Sequence, residues 1–158
     1  MRKQFIFLAK FFLIFAMLQA AILLLNLEVI EKSIASIEAK ALGLQSNENF
    51  VFVNGEAFSI DANCTGLLSG GIVAAIVFSL RKPEMKKKLL VLFSAALALF
   101  LLNIPRIYLV LWTAKEFGAA AAETAHIATW FSTAAFILVF WYFATKKIAK
   151  VEDFSQLL

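Results

Sequence analysis

The chain has 158 residues, 62% of them hydrophobic, and a mean hydropathy of +0.84. This composition is too apolar for a soluble domain of that length. One cysteine excludes an internal disulfide, and too few cysteines and histidines are present for a zinc site of the usual kind. The net charge of +4 does not indicate nucleic-acid binding, because the charges sort by membrane side, as shown below. We therefore expect an all-α integral membrane protein with no metal, no cofactor and no nucleic-acid partner.

Four apolar runs predict four transmembrane helices in one membrane domain covering residues 1–158. The first run is long enough to cross roughly 30 Å of hydrocarbon. It is too long for the apolar part of a signal peptide and lacks a cleavage site, so we interpret it as an uncleaved span. In the third run, Asn103-Ile104-Pro105 predicts a kink or break, since proline removes a backbone donor. The predicted spans are about 5–27, 64–80, 89–113 and 126–145, with a polar loop at 115–125.

The segment 28–63 is the longest polar stretch and predicts a small extracytoplasmic structure. Apolar residues recur there at helical spacing with charged residues such as Glu38 between them, which predicts an amphipathic helix on the membrane surface. Further on, Asn54-Gly55 separates two short apolar stretches, 50–53 and 56–60, and this favours a β-hairpin. The hairpin either simply connects the chain to Cys64 or presents an edge strand to an extended peptide.

The distribution of charge predicts the orientation. With a cytoplasmic N-terminus, 11 basic residues lie inside and three lie outside: Lys32, Lys40 and Lys115. Eight acidic residues lie in the outer loops and three inside. By the positive-inside rule, both termini are cytoplasmic in a multi-pass protein of the cell membrane.

Three chemically distinctive residues fall at the same predicted depth. Cys64 begins the second span, and the only histidine, His126, begins the fourth. Arg106 is 17 residues after Leu89, or roughly 25 Å along a helix, which also places it at the outer face. Each residue has a plain alternative: a packing cysteine, an interfacial histidine, an arginine that reaches the headgroups. Together they form a nucleophile, a base and an oxyanion stabiliser, the parts needed for acyl transfer.

Three neighbouring residues are weaker candidates for the same site. Asn63 and Asp61 either support the site, for instance by orienting His126, or act as ordinary helix caps. Asn103 either bonds backbone groups freed by Pro105 or supports Arg106.

Asn63-Cys64-Thr65-Gly66, then Asn103-Ile104-Pro105-Arg106, then a histidine opening a later span, resemble the exosortase/archaeosortase family over roughly residues 50–145. Thr65 stands where that family commonly has serine, and the chain looks like a minimal core of the larger members. The resemblance implies a membrane cysteine transpeptidase with Cys64 as nucleophile, His126 as acid/base and Arg106 as stabiliser.

The resemblance also implies the substrates. These are envelope proteins whose C-terminal sorting signal has a short motif, a transmembrane helix and a basic tail, cut on the extracytoplasmic face. Membrane lipids surround the enzyme. The main alternative is a non-enzymatic assembly or scaffold protein in which Gly66 and Gly70 pack helices. A small transporter subunit, with Arg106 binding an anion, is a third class.

Overall fold

The structure, a computed structural model, describes residues 2–149, without the side chains at positions 2, 3, 63 and 149. It is mainly helical, with a small sheet, and the all-α membrane class is confirmed. Lys150, which contributes to the charge count, lies outside the described residues, as do the side chains of Arg2 and Lys3. The elements in chain order are α1 (Arg2–Leu24), α2 (Glu28–Leu42), β1 (Gln45–Asn47), β2 (Phe50–Val53), β3 (Glu56–Ser59), a 3-10 turn (Ala62–Thr65), α3 (Leu67–Ser79), α4 (Met85–Phe117) and α5 (Ala119–Ala149).

Within residues 2–149, three helices are long and apolar enough to cross a membrane: Gln4–Leu24, Met85–Phe117 and Ala119–Ile148. The predicted span at 64–80 corresponds to α3, which is apolar but has only 13 residues. A helix of that length rises about 20 Å, less than the hydrocarbon thickness. The chain leaves helical geometry before α3 because Gly66 has a φ of +81°.

Two other features differ from the structure, the first of them in part. Of the kink or break predicted near Pro105, the break is absent, because α4 continues through that residue. The loop predicted at 115–125 is reduced to a turn at Gly118, whose φ is +85°, and α5 begins at Ala119. The alanine-rich sequence after Gly118 accounts for this, since alanine has the highest helix propensity. His126 therefore lies two turns inside α5 rather than at its start.

The chain divides into two compact units. The first consists of residues 1–24, 68–99 and 135–158, and the second of residues 25–67 and 100–134. In the first unit, buried aliphatic residues of α3 and α4 pack with Ile137 and Trp141 of α5. The glycines of α3 are unequal: a Cβ on Gly71 would meet the Gln19 side chain at 3.3 Å, whereas Gly70 has nothing within 4 Å. Packing through Gly70 therefore has no support within the described residues.

The second unit contains α2, the sheet, the 3-10 turn, residues 100–117 of α4 and residues 119–134 of α5. The predicted hairpin is confirmed, with Asn54 and Gly55 at φ of 51° and 88°, the signs required by a type I′ turn. The preceding β1 adds a strand that the sequence did not predict, giving the antiparallel order β1-β2-β3. Val51 and Val53 of β2 are buried, and the alternate Phe50 and Phe52 are exposed.

Side-chain hydrogen bonds attach this sheet and α2 to the end of α4. The Asn54 Nδ2 donates to the Lys115 carbonyl at 2.9 Å, which anchors the hairpin turn. The Lys115 Nζ in turn donates to the Leu42 carbonyl at 2.9 Å, at the end of α2. Gly43, with a φ of 66°, ends that helix in the left-handed conformation usual at helix C-termini. These contacts hold β3, and the turn that follows it, against α4.

The helix predicted for this segment is confirmed as α2, but its buried side differs from the predicted apolar side. Val29, Ile30 and Ile37, which belong to the predicted apolar side, are exposed, and Ala35, Ala39 and Leu42 are buried. Glu38, which the pattern places on the polar face, is only 1% exposed. Its Oε1 has no hydrogen-bond partner among the described residues, and burial raises the pKa of its carboxyl from 4.5 to about 7. Glu38 lines a mostly apolar cavity of about 200 Å³ between α2 and the residues Phe100 and Ile104 of α4.

Candidate active site

Cys64 lies in the 3-10 turn between β3 and α3. Its backbone N–H donates to both the carbonyl and the carboxylate of Asp61, at 2.9 and 3.2 Å. The Thr65 hydroxyl donates to the Ala62 carbonyl at 2.6 Å, closing the same turn. The Cys64 side chain is half-buried and forms no disulfide. The turn therefore fixes the cysteine backbone, and Asp61 also forms hydrogen bonds with the thiol.

Asn103 joins this turn to Arg106. Its Nδ2 donates to the Cys64 carbonyl, and its Oδ1 accepts a hydrogen bond from the Arg106 Nη1 at 3.2 Å. Asn103 and Arg106 are three residues apart on α4 and therefore share a face of the helix. Gly66 packs closely there, since a Cβ at this position would lie 3.6 Å from the Asn103 Cγ. The alternative in which Asn103 supports Arg106 thus has direct structural support.

Arg106 is buried, with 9% of its surface exposed. Its Nε has no hydrogen-bond partner among the described residues. A buried guanidinium with an unused donor carries a large desolvation cost, so it can interact strongly with an anion formed beside it.

One cavity of about 190 Å³ brings the three sequence-predicted residues together. It lies entirely within the second unit and is lined by Phe58, Ser59, Ile60, Asp61, Cys64, Arg106, Ile107, Val110, Leu111 and His126. His126 is exposed, and no hydrogen bond between its imidazole and the Cys64 thiol is present in the part of the chain described. A thiol, an imidazole and a guanidinium therefore line the same cavity.

The surroundings of Cys64 raise the pKa of its thiol. Burial is the main cause of this increase above the ordinary value. The backbone hydrogen bond with Asp61 is the next largest influence and lowers the pKa. The Asp61 side chain raises the pKa through its charge and through a hydrogen bond, and the charge of Arg106 lowers it by the smallest amount. A base is therefore needed to ionise the thiol.

The supporting residues have distinct places. Asp61 caps the turn, as one of its two readings predicted, and its side chain also affects the thiol directly. The side chain of Asn63 lies outside the described residues. The sequence pattern did not identify Phe58, Ser59 and Ile60 as cavity residues. Their position just before Cys64 in the chain is the feature that could have identified them. Nothing in the sequence pattern marked Glu38 as buried.

Comparison with known proteins identifies the family. No curated protein and no solved structure gives a match. The sequence profile of the transmembrane exosortases matches residues 2–155, nearly the whole chain, and extends the resemblance of 50–145 in both directions. The chain belongs to the transmembrane exosortase family.

Proposed function

We propose that this protein is a membrane cysteine transpeptidase or peptidase whose catalytic residues are Cys64, His126 and Arg106. Family membership supports a transpeptidase role in general. The observation that carries the specific assignment is the single cavity shared by the thiol, the imidazole and the buried guanidinium. These three groups come from separate segments of the chain and suffice for acyl transfer without a cofactor.

The first step is attack of Cys64 on the scissile carbonyl. His126 accepts the thiol proton as sulfur bonds to the carbonyl carbon, and the carbonyl electron pair moves onto oxygen. The unpartnered Nε–H of Arg106 is available to donate to that oxyanion. When the tetrahedral intermediate collapses, the C–N bond breaks and His126 returns the proton to the leaving amine. The product is a thioester on Cys64.

In the second step a nucleophile, an amine for transfer or water for hydrolysis, attacks the thioester. His126 removes a proton from that nucleophile, and the Cys64 thiolate leaves and regains it. Asn103 is a positioning residue in both steps, because it contacts the Cys64 carbonyl and Arg106 at the same time.

The substrate is an envelope protein with a C-terminal motif, a transmembrane helix and a basic tail. A membrane-anchored signal of this kind fits a site at the end of membrane helices. By the positive-inside rule, its basic tail lies on the cytoplasmic side, as the basic segments of this chain do. The charge distribution supports an extracytoplasmic site with both termini in the cytoplasm.

The test is processing of a reporter protein that carries such a signal, taken from the same genome and co-expressed with the full chain. Cys64→Ala and His126→Ala should reduce processing by at least 100-fold, and Arg106→Lys by roughly 10- to 100-fold, because lysine lacks the planar donor set. Thr124→Ala, an exposed change two residues from His126, is the control. Mass spectrometry should detect the C-terminal fragment released by cleavage. Normal processing by Cys64→Ala would favour the scaffold function.

A further inference from the structure

Strand β3 leads directly into the candidate active site. It is the last strand of the order β1-β2-β3 and, within residues 2–149, it pairs only with β2, so that its other edge is open there. After β3, Ile60 and Asp61 complete the connection to the turn that carries Cys64. Phe58, Ser59 and Ile60 line the cavity that contains the thiol.

The register shows which backbone groups of β3 point away from the sheet. A two-residue turn at Asn54-Gly55 closes on a hydrogen-bonded pair, here Val53 and Glu56. Such pairs alternate along an antiparallel ladder, so the next is Val51 with Phe58. The alternation of hydrogen-bonded pairs continues past the end of β3, since the Ile60 N–H donates to the Asn49 carbonyl at 2.8 Å.

The N–H and C=O groups of the intervening residues, Ala57 and Ser59, consequently point to the open edge. Both residues are exposed, whereas Ile60 is buried. Ser59 in addition lines the cavity of Cys64. An open row of backbone donors and acceptors is a ready partner for an extended chain.

We infer that the substrate's sorting motif binds as an added strand on the open edge of β3, through the backbone groups of Ala57 and Ser59. The inference rests on the proposed function, because it uses the same cavity for the scissile bond. Backbone pairing provides affinity that is independent of the motif's side chains, and the cavity beside Ser59 receives the residues at the cleavage point. The partner is thus a peptide that must be extended near its cleavage site.

Proline substitutions test this edge. Ala57→Pro removes an outward N–H and leaves the pairing with β2 intact, the position at which a strand tolerates proline. The matched control is Ser46→Pro on β1, the opposite edge. Because Phe50 and Phe52 of β2 bond toward β1, the Ser46 N–H also points outward. Processing of the reporter by the full chain should fall at least 10-fold in Ala57→Pro, through KM rather than kcat, and stay unchanged in Ser46→Pro.

The rate of Cys64 alkylation by iodoacetamide shows whether a loss of processing comes from the open edge of β3 or from a disturbed active site. It should remain at the wild-type value in both proline variants, showing an intact site. Wild-type processing by Ala57→Pro would overturn the strand-addition proposal alone. Processing by Cys64→Ala would instead refute the catalytic assignment.

If Ala57→Pro alters the alkylation rate, a photo-crosslinking residue decides the question. Benzoylphenylalanine at position 57 should crosslink to the reporter, and at Phe52, on the exposed face of the central strand, it should not. A crosslink between two copies of the chain, or equal reporter crosslinking at both positions, would overturn the proposal.

Discussion

Asp61 and Arg106 act on the Cys64 thiol in opposite directions. The carboxylate favours the protonated thiol, and the guanidinium favours the thiolate. A thiol with a raised pKa reacts slowly with oxidants and alkylating reagents at neutral pH, since the thiolate is the reactive form. In the proposed mechanism, His126 is the base that ionises the thiol.

The alkylation rate of Cys64 should therefore report a raised pKa. With iodoacetamide and the solubilised full chain, we expect an apparent pKa above the ordinary value of about 8.5. Asp61→Asn should lower it, and Arg106→Leu should raise it further. Glu116→Gln, which removes an exposed charge outside the cavity, is the control. An apparent pKa below 8.5 in the wild type would contradict the environment described for the thiol.

Glu38 should make the stability of the protein depend on pH. Its pKa is raised on folding, so the folded state binds more protons than the unfolded state between pH 4.5 and about 7. The full stability is therefore present below pH 4.5 and is lost as the pH rises to about 7. The loss amounts to at most about 3 kcal/mol.

Glu38→Gln removes this titration. It should raise the Tm by roughly 5 °C at pH 8 and change it little at pH 4.5. Thermal unfolding in detergent at the two pH values measures the effect, with Glu116→Gln as the matched exposed control. Equal Tm differences at both pH values would show that the carboxyl does not titrate in this range.

Among the elements, the short turn around Cys64 determines the geometry of the site. Gly66 has a φ of +81°, and a Cβ at this position would lie in ordinary contact with Asn103, 3.6 Å from its Cγ. A side chain at this position is strained by its backbone conformation. Gly70 is helical and has open space around its Cβ position.

These two glycines form a matched pair for mutagenesis. Gly66→Ala should destabilise the protein by about 1–2 kcal/mol and reduce processing of the reporter at least 10-fold. Gly70→Ala should be neutral or slightly stabilising, since alanine favours a helix over glycine. Thermal unfolding and reporter processing are measured together. Similar losses in both variants would argue for a general packing role of the glycines.

The elements that the sequence predicted best have local signals. The turn residues Asn54-Gly55 predicted the hairpin, and the helical spacing in 28–44 predicted α2. The depth calculation brought Cys64, Arg106 and His126 to one level, and the structure places them around one cavity. The burial of Glu38 depends on packing between distant segments, which no local pattern encodes. The early start of α5 does have a local signal, the alanine-rich sequence after Gly118, which the loop prediction did not use. Because the contacts of Asn103 also depend on distant segments, the sequence left two interpretations of this residue: a partner for backbone groups freed by Pro105, or a support for Arg106.

For the whole molecule, the testable statement is its orientation in the membrane. In a Cys64→Ala background, single cysteines at Ser46 and Lys86 report on the two sides, since both positions are exposed in the structure. An impermeant maleimide should label Ser46→Cys in intact cells and Lys86→Cys only after permeabilisation. The reverse pattern would place the site in the cytoplasm and contradict the charge-based orientation.

The second unit combines residues 25–67 with residues 100–134, and this has a consequence during synthesis. Cys64 leaves the ribosome about 60 residues before His126, a delay of roughly 3–12 s at ordinary translation rates. Through that interval the nascent chain has its proposed nucleophile but not His126, and Arg106 is added 20 residues before the histidine. In the proposed mechanism, acyl transfer therefore cannot begin before the helix that carries His126 has been synthesised.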